Sequence, residues 1–155
     1  MSDLERSLAF TLRWEGGNVS DPDDYGGRTS RGVTQRTYDG WRLDHKLEKR
    51  DVWLMDHSEL LDIYKTLYWW PAKDAEWPLS LVIFDTAVLF GVGRASEWLM
   101  AVNWMDATAV QKAMAMMCLR YERHRANVAK DKSQAKFWGG WLNRLNDLFK
   151  TVKSG

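Results

Sequence analysis

The sequence predicts a mainly α protein with a small β element near its N-terminus, on three observations. Leu4, Leu8 and Leu12 recur every four residues and lay one apolar stripe along a first helix. The stretch from Gly16 to Gly32 is dense in turn formers instead. The segment from Leu81 to Phe90 is apolar all round, as a buried central helix must be.

The elements follow in order. An amphipathic segment runs from Ser2 to Trp14 and ends at Glu15. Asn18, Asp21-Pro22-Asp23-Asp24 and Gly26-Gly27 then mark turns, and the short pieces near Val19 and Thr29 suit a hairpin or a three-stranded sheet. Thr34 can cap a helix through Tyr38 and Trp41. Ser58 and Glu59 open another, with Leu60, Leu61, Tyr64 and Leu67 as its inner face and Pro71 as its end. Pro78 and Ser80 open the central apolar helix, which Gly91 and Gly93 break; a further helix runs from Arg94 to about Val102. Asp106 is expected to cap a long helix with Val110, Met114, Met117, Tyr121 and Val128 on one face. Ser133 is expected to cap the last, with Phe137, Trp141, Leu145 and Leu148 at helical spacing. No repeat, linker or low-complexity tract interrupts the chain, so residues 1–155 read as a single domain: a chemistry-bearing segment at 14–34 and a helical core at 79–155.

Composition limits the partners. The net charge is +1, but Leu119 to Gly155 carries nine Lys/Arg against three Asp/Glu, a face suited to an anionic polymer or simply to water. Cys118 is the only cysteine, which excludes an intramolecular disulfide; its apolar run MAMMCL predicts a buried thiol. The N-terminus lacks a basic start and a long apolar stretch, so no signal peptide is expected. The longest apolar run is interrupted by Asp85 and Thr86 and is too short and polar to span a bilayer, so no stable membrane insertion is expected. His45, His57 and His124 show no metal-ligand spacing, and neither metal nor cofactor is expected.

The chemistry-bearing acids lie early. Glu15 ends a helix, and Asp24 follows in a glycine-flanked loop that can return opposite it. Two opposed carboxylates are the minimum for cleaving a glycosidic bond. Burial beside Trp14 would keep Glu15 protonated as general acid, while a polar loop keeps Asp24 ionised to activate water; the Thr29 hydroxyl could hold that water. On spacing alone, Asp21 and Asp23 compete with Asp24, and DPDD is also an ordinary turn.

The string WEGGNVSDPDDYGGRTSRGVT resembles the opening motif of glycoside hydrolase family 108, N-acetylmuramidases that include many phage endolysins and prophage lysozymes. The family's Glu-Gly-Gly, Asp-Pro turn, Gly-Gly-x-Thr and Gly-Val-Thr are matched at Glu15–Gly17, Ser20–Pro22, Gly26–Thr29 and Gly32–Thr34. Tyr68-Trp69, Phe84-Asp85, Gly91-Val92-Gly93-Arg94-Ala95 and the tail from Phe137 to Arg144 resemble later family segments, the last from its peptidoglycan-binding region. The resemblance implies a lysozyme-like fold with Glu15 as the catalytic glutamate. Similarity to the Glu-Asp-Thr set of phage-type lysozymes implies Asp24 and Thr29, although the longer gap in those enzymes would point to Ser30. Two positions depart from the family: Leu89 replaces an Asn, with Phe90 as a possible compensating contact, and Tyr25 replaces a turn Pro.

The chain has ten tryptophans, and aromatic faces suit sugar C–H surfaces. Trp41, Trp98, Trp104 and Trp141 nevertheless fall on inner helix faces and are expected in the core. Of the adjacent pair Trp69-Trp70, the resemblance favours Trp69 as a cleft wall, with Tyr25 and Phe90 as further substrate contacts. Asp85 must be paired if buried, with Arg144 and Arg94 as candidates.

The resulting expectation is a monomeric muramidase acting on peptidoglycan between N-acetylmuramic acid and N-acetylglucosamine. It would remain cytoplasmic until a holin or similar system releases it to the wall, in the periplasm of a Gram-negative host. A lytic transglycosylase and a non-catalytic wall-binding module remain alternatives. Nucleic acid is not an expected partner, because no recognised motif accompanies the basic face.

Overall fold

A computed structural model describes residues 1–20 and 27–155. Among these, seven α-helices accompany one antiparallel sheet of order β1-β2-β3, the mainly α arrangement expected. The chain forms two compact units, residues 1–67 and 68–155.

In the first unit, α1 spans Asp3–Leu12. Ser2 and Glu5 form a reciprocal capping box at its start, satisfying N–H groups that have no partner within the helix. The helix packs on α3 and buries Ser7, Leu8, Phe10 and Thr11. Strands β1 (Asn18–Ser20), β2 (Arg28–Ser30) and β3 (Val33–Thr34) follow. Thr29 pairs with Val19 on one side and Thr34 on the other, whereas Ser30 pairs with Asn18 and Val33. Opposed residues share a face, so Thr29 and Ser30 stand on opposite faces of the sheet. Arg31 and Gly32 join β2 to β3 with φ of +48° and +81°, the double positive φ of a type I′ hairpin turn.

Thr34 caps α2 (Gln35–Asp44), accepting the Thr37 N–H at 3.1 Å as the sequence suggests. A 3-10 turn, Val52–Leu54, leads to α3 (His57–Tyr64). Asp56, not Ser58, caps α3: its carboxylate accepts the Glu59 N–H at 3.0 Å, and Ser58 donates to that carboxylate at 2.7 Å. Glu59 is buried between α2 and the capping segment. It accepts from Tyr38 Oη at 2.6 Å and Arg42 at 2.6 Å, and also pairs with Arg50. Leu67 is 40 % exposed, not on the inner face. The chain widens into a π turn at Lys65–Trp69, so the spacing that aligns Leu60 with Tyr64 no longer carries to Leu67.

In the second unit, α4 (Leu79–Phe90) is buried from Leu79 to Ala87, as its all-round apolarity predicts. Gly91, at φ +88°, separates it from α5 (Val92–Asn103). Trp98 is buried, but Trp104 is 82 % exposed: α5 stops at Asn103, and helical spacing does not extend past the cap.

Thr108 caps α6 (Ala109–Lys130) in place of Asp106. Of the expected stripe Val110, Met114, Met117, Tyr121 and Val128, only Met117 belongs to the buried face of α6, which is Ala113, Met116, Met117, Arg120 and His124. Two of its five members are polar, so hydrophobic periodicity alone selects the wrong stripe. Met114 and Tyr121 instead border a cleft of about 500 Å³ between α6 and α7, with Leu142 and Phe149 across it. Cys118 is exposed in that cleft, contrary to expectation, because Met116, Met117 and Arg120 occupy the inward positions around it.

A 3-10 turn capped by Asp131 covers Lys132–Phe137, and α7 begins only at Trp138 and runs to Ser154. Ser133 therefore caps no helix, and Phe137 lies 45 % exposed in the turn.

Asp85, Arg120 and Arg144 are all buried and form one cluster joining α4, α6 and α7. Arg120 donates to Asp85 Oδ2 at 2.7 Å; Arg144 donates to Oδ2 at 3.2 Å and Oδ1 at 2.7 Å. Burial opposes the Asp85 charge, but the two guanidinium groups outweigh it and hold the carboxyl at about 2. Arg144 is thus the partner anticipated; Arg94 is not, for it pairs with Glu97 at 3.1 Å. His124 lies beside the cluster, stacked on Trp141 with ring centres 4.6 Å apart. Burial, with Arg120 and Arg144 adding repulsion, pulls His124 down to about 4 and keeps it neutral near pH 7.

Candidate active site

Glu15 owes its position to backbone bonds that extend α1 by another turn. Trp14 N–H donates to Thr11 O at 2.9 Å, and Glu15 N–H donates to the same carbonyl at 3.2 Å. Thr11 is fully buried, so the attachment point is fixed in the core of its unit. Gly16 and Gly17 then release the chain into β1. Gly17 O accepts from Arg31 N–H at 3.3 Å, tying the segment after Glu15 to the β2–β3 turn.

The side chain meets the same turn. A Cβ built on Gly32 would lie 3.3 Å from Glu15 Oε2 and 3.5 Å from its Cγ, so the carboxyl rests against the bare glycine. Such a Cβ would also fall inside the hydroxyl of Tyr64, which is itself buried and donates to Arg31 O at 2.8 Å. Glu15 and Trp14 are both half-buried.

The sheet is braced from the 3-10 segment. Trp53 Nε1 donates to Thr29 O at 3.3 Å. The Arg28 guanidinium lies 4.3 Å from the centre of the Trp53 ring and pairs with Asp51, while Arg31 donates to Met55 O. These contacts hold the backbone of Thr29 from outside the sheet and leave its hydroxyl on the face shared with Val19 and Thr34. Thr29 is half-buried, whereas Ser30 is 2 % exposed. The two hydroxyls offered by the sequence thus differ in access to water.

Asp21, Asp23, Asp24 and Tyr25 lie outside the described residues. The other sugar-contact candidates belong to the second unit. Trp69 is half-buried and meets Phe84 edge-on at 5.7 Å between ring centres, while its neighbour Trp70 is 51 % exposed. Phe90 is half-buried at the end of α4, with Trp98 at 5.3 Å, His124 at 5.1 Å and the Arg120 guanidinium at 5.9 Å. Sequence reasoning placed Tyr64 on a helix face without foreseeing its contact with the turn. The available signal was the pair Arg31-Gly32, since a glycine after a strand often marks a site of close approach.

Among the described residues, no helix is long and apolar enough to cross a membrane. Comparison with known proteins adds three findings. Residues 8–91, more than half of the chain, match the family described as Glycosyl hydrolase 108. The structure of Brucella abortus SagA is similar, with a TM-score of 0.73 at 22 % identity over 97 % of this chain and 94 % of that one; at this identity the likeness speaks for the fold. No curated protein matches. The family match begins inside α1, takes in Glu15, the sheet and its turn, and ends where α4 gives way to α5, and on that extent the chain belongs to the glycosyl hydrolase 108 family.

Proposed function

We propose that this glycosidase is a muramidase that hydrolyses the β-1,4 bond between N-acetylmuramic acid and N-acetylglucosamine in peptidoglycan. The observation that carries the reading is the seating of Glu15. Its backbone is anchored to α1, its carboxyl rests against the β2–β3 turn, and it lies within the segment matched by a glycosidase family. Cleavage of a glycosidic bond needs a proton on the departing oxygen, and a carboxylic acid on a fixed element delivers it in one geometry.

Asp24 takes the second role, removing a proton from the attacking water. The exposure of Thr29 relative to Ser30 supports the former as the hydroxyl that orients this water. The water attacks the anomeric carbon as the bond to the leaving oxygen breaks; Glu15 gives up its proton and Asp24 gains one. With Asp24 acting as base on water and not as nucleophile, the anomeric centre inverts, which calls for a carboxyl separation of ~6.5–9.5 Å. Tyr25, Trp69 and Phe90 are the aromatic side chains assigned to contact sugar.

The protein works as a single-domain monomer without metal or cofactor, in phage or prophage lysis. A holin or similar system releases it from the cytoplasm to the wall.

Mass spectrometry of digested peptidoglycan tests the reading. New reducing N-acetylmuramic acid ends are expected. Anhydro-muramyl ends would make the protein a lytic transglycosylase, reducing N-acetylglucosamine ends would reassign the bond, and intact wall would leave only a binding module.

A further inference from the structure

The geometry points to Tyr64 as a positioning residue for Glu15, acting across the bare face of Gly32. The inference rests on Glu15 being the general acid. Three segments converge here: the end of α1, the β2–β3 turn and the last residue of α3. The Tyr64 ring is buried, and its hydroxyl proton is committed to Arg31 O at 2.8 Å. The phenol oxygen therefore cannot swing away from the turn without giving up a partly buried hydrogen bond.

The same oxygen occupies the space that a Cβ on Gly32 would need, and Glu15 Oε2 and Cγ stand 3.3 Å and 3.5 Å from that point. Hydroxyl and carboxyl thus share one side of one glycine. Gly32 answers two demands at once: a φ of +81°, and room for both groups. Arg31, at φ +48°, turns its carbonyl to the phenol and carries its side chain to Met55 O. The turn is held from both sides while it supports the acid. A proton donor misplaced by an ångström loses much of its advantage, because transfer needs the donor within hydrogen-bond reach of the leaving oxygen.

Tyr64→Phe tests this directly. It keeps the ring in the core and removes only the oxygen. Turnover of soluble, uncrosslinked glycan strands is measured per folded molecule beside Glu15→Gln. The expected result for Tyr64→Phe is a fall in kcat of about tenfold or more with KM changed less than twofold. Gly32→Ala, which reaches the same seat from the turn, is expected to lower kcat at least as far. Wild-type kcat in folded Tyr64→Phe, beside an inactive Glu15→Gln, overturns the positioning role alone. Near wild-type turnover in Glu15→Gln overturns the acid assignment and this inference together. A loss of total activity that disappears when turnover is counted per folded molecule reduces Tyr64 to a core residue and also overturns the proposal.

Discussion

Replacing Glu15 with Gln keeps the shape of the side chain and removes the proton it would donate. General acid catalysis contributes ~100- to 10,000-fold, so lysis by folded Glu15→Gln should fall by more than two orders of magnitude. Near wild-type lysis would remove the acid assignment. Among the neighbouring acids, Asp24→Asn should cost more activity than Asp21→Asn or Asp23→Asn, because Asp24 is the proposed base and the pair flanking Pro22 reads from the sequence as turn formers. If Asp24→Asn is the mildest of the three, the base has been misassigned. Glu15 was legible as a candidate because a motif surrounds it in the sequence. Tyr64 was not, since its contact with Gly32 joins residues 32 positions apart through a turn whose conformation no residue spacing reveals.

Among the elements, α4 was read most easily. It is buried on nearly every side, and a continuous apolar run of that length allows few alternatives. Helix α6 was read one stripe away from its true face because Arg120 and His124 lie inward. A buried arginine resembles a solvated one in the sequence; only its counter-charge on another helix distinguishes it. The cluster makes a specific prediction. Asp85→Asn leaves two buried guanidinium groups without their carboxylate, and removing one partner of such a buried pair costs about 3–5 kcal/mol. Equilibrium denaturation in urea should report a loss of that order, whereas Glu97→Gln, which breaks only the surface pair with Arg94, should change stability by less than about 1 kcal/mol. Equal losses in the two variants would show that the buried cluster has no special weight.

At the scale of the molecule, acid should destabilise the fold in two stages. A histidine titrates near 6.5 when unfolded, and His124 near 4 when folded. Between these values the unfolded chain binds the extra proton. The contribution is therefore fully present above about 6.5 and is lost as pH falls toward 4, a change on the order of 3 kcal/mol. Asp85 adds a second loss as pH falls from 3.8 through about 2. Thermal melts across pH 7 to 4 should show the first slope, and His124→Phe should flatten it. An unchanged slope in that variant would assign the proton to another group.

The basic C-terminal segment acts at the same scale, although Arg120 and Arg144 must be removed from it, both being buried against Asp85. Lys130, Lys132 and Lys136 remain exposed. Their attraction to an anionic wall is screened over ~8 Å at physiological salt. Whole-cell lysis should thus fall steeply with salt, and cleavage of short uncharged oligosaccharides should hardly change. Reversing these three charges should reproduce the effect of high salt on cells alone. Equal losses on both substrates would tie the segment to the active site or the fold.

The buried cluster also bears on how this sequence can be divided. Asp85 lies inside the stretch 8–91 that carries the family match, but both of its guanidinium partners, Arg120 and Arg144, lie beyond it. A gene truncated after Gly91 would keep the whole stretch of the family match and still strand a carboxylate within apolar helix α4. That carboxylate must then take up a proton or drag the helix into water. Recombination that moves the first ninety or so residues onto another scaffold should therefore yield insoluble product unless Asp85 is made apolar at the same time. The end of the family match in this chain is not a boundary of folding.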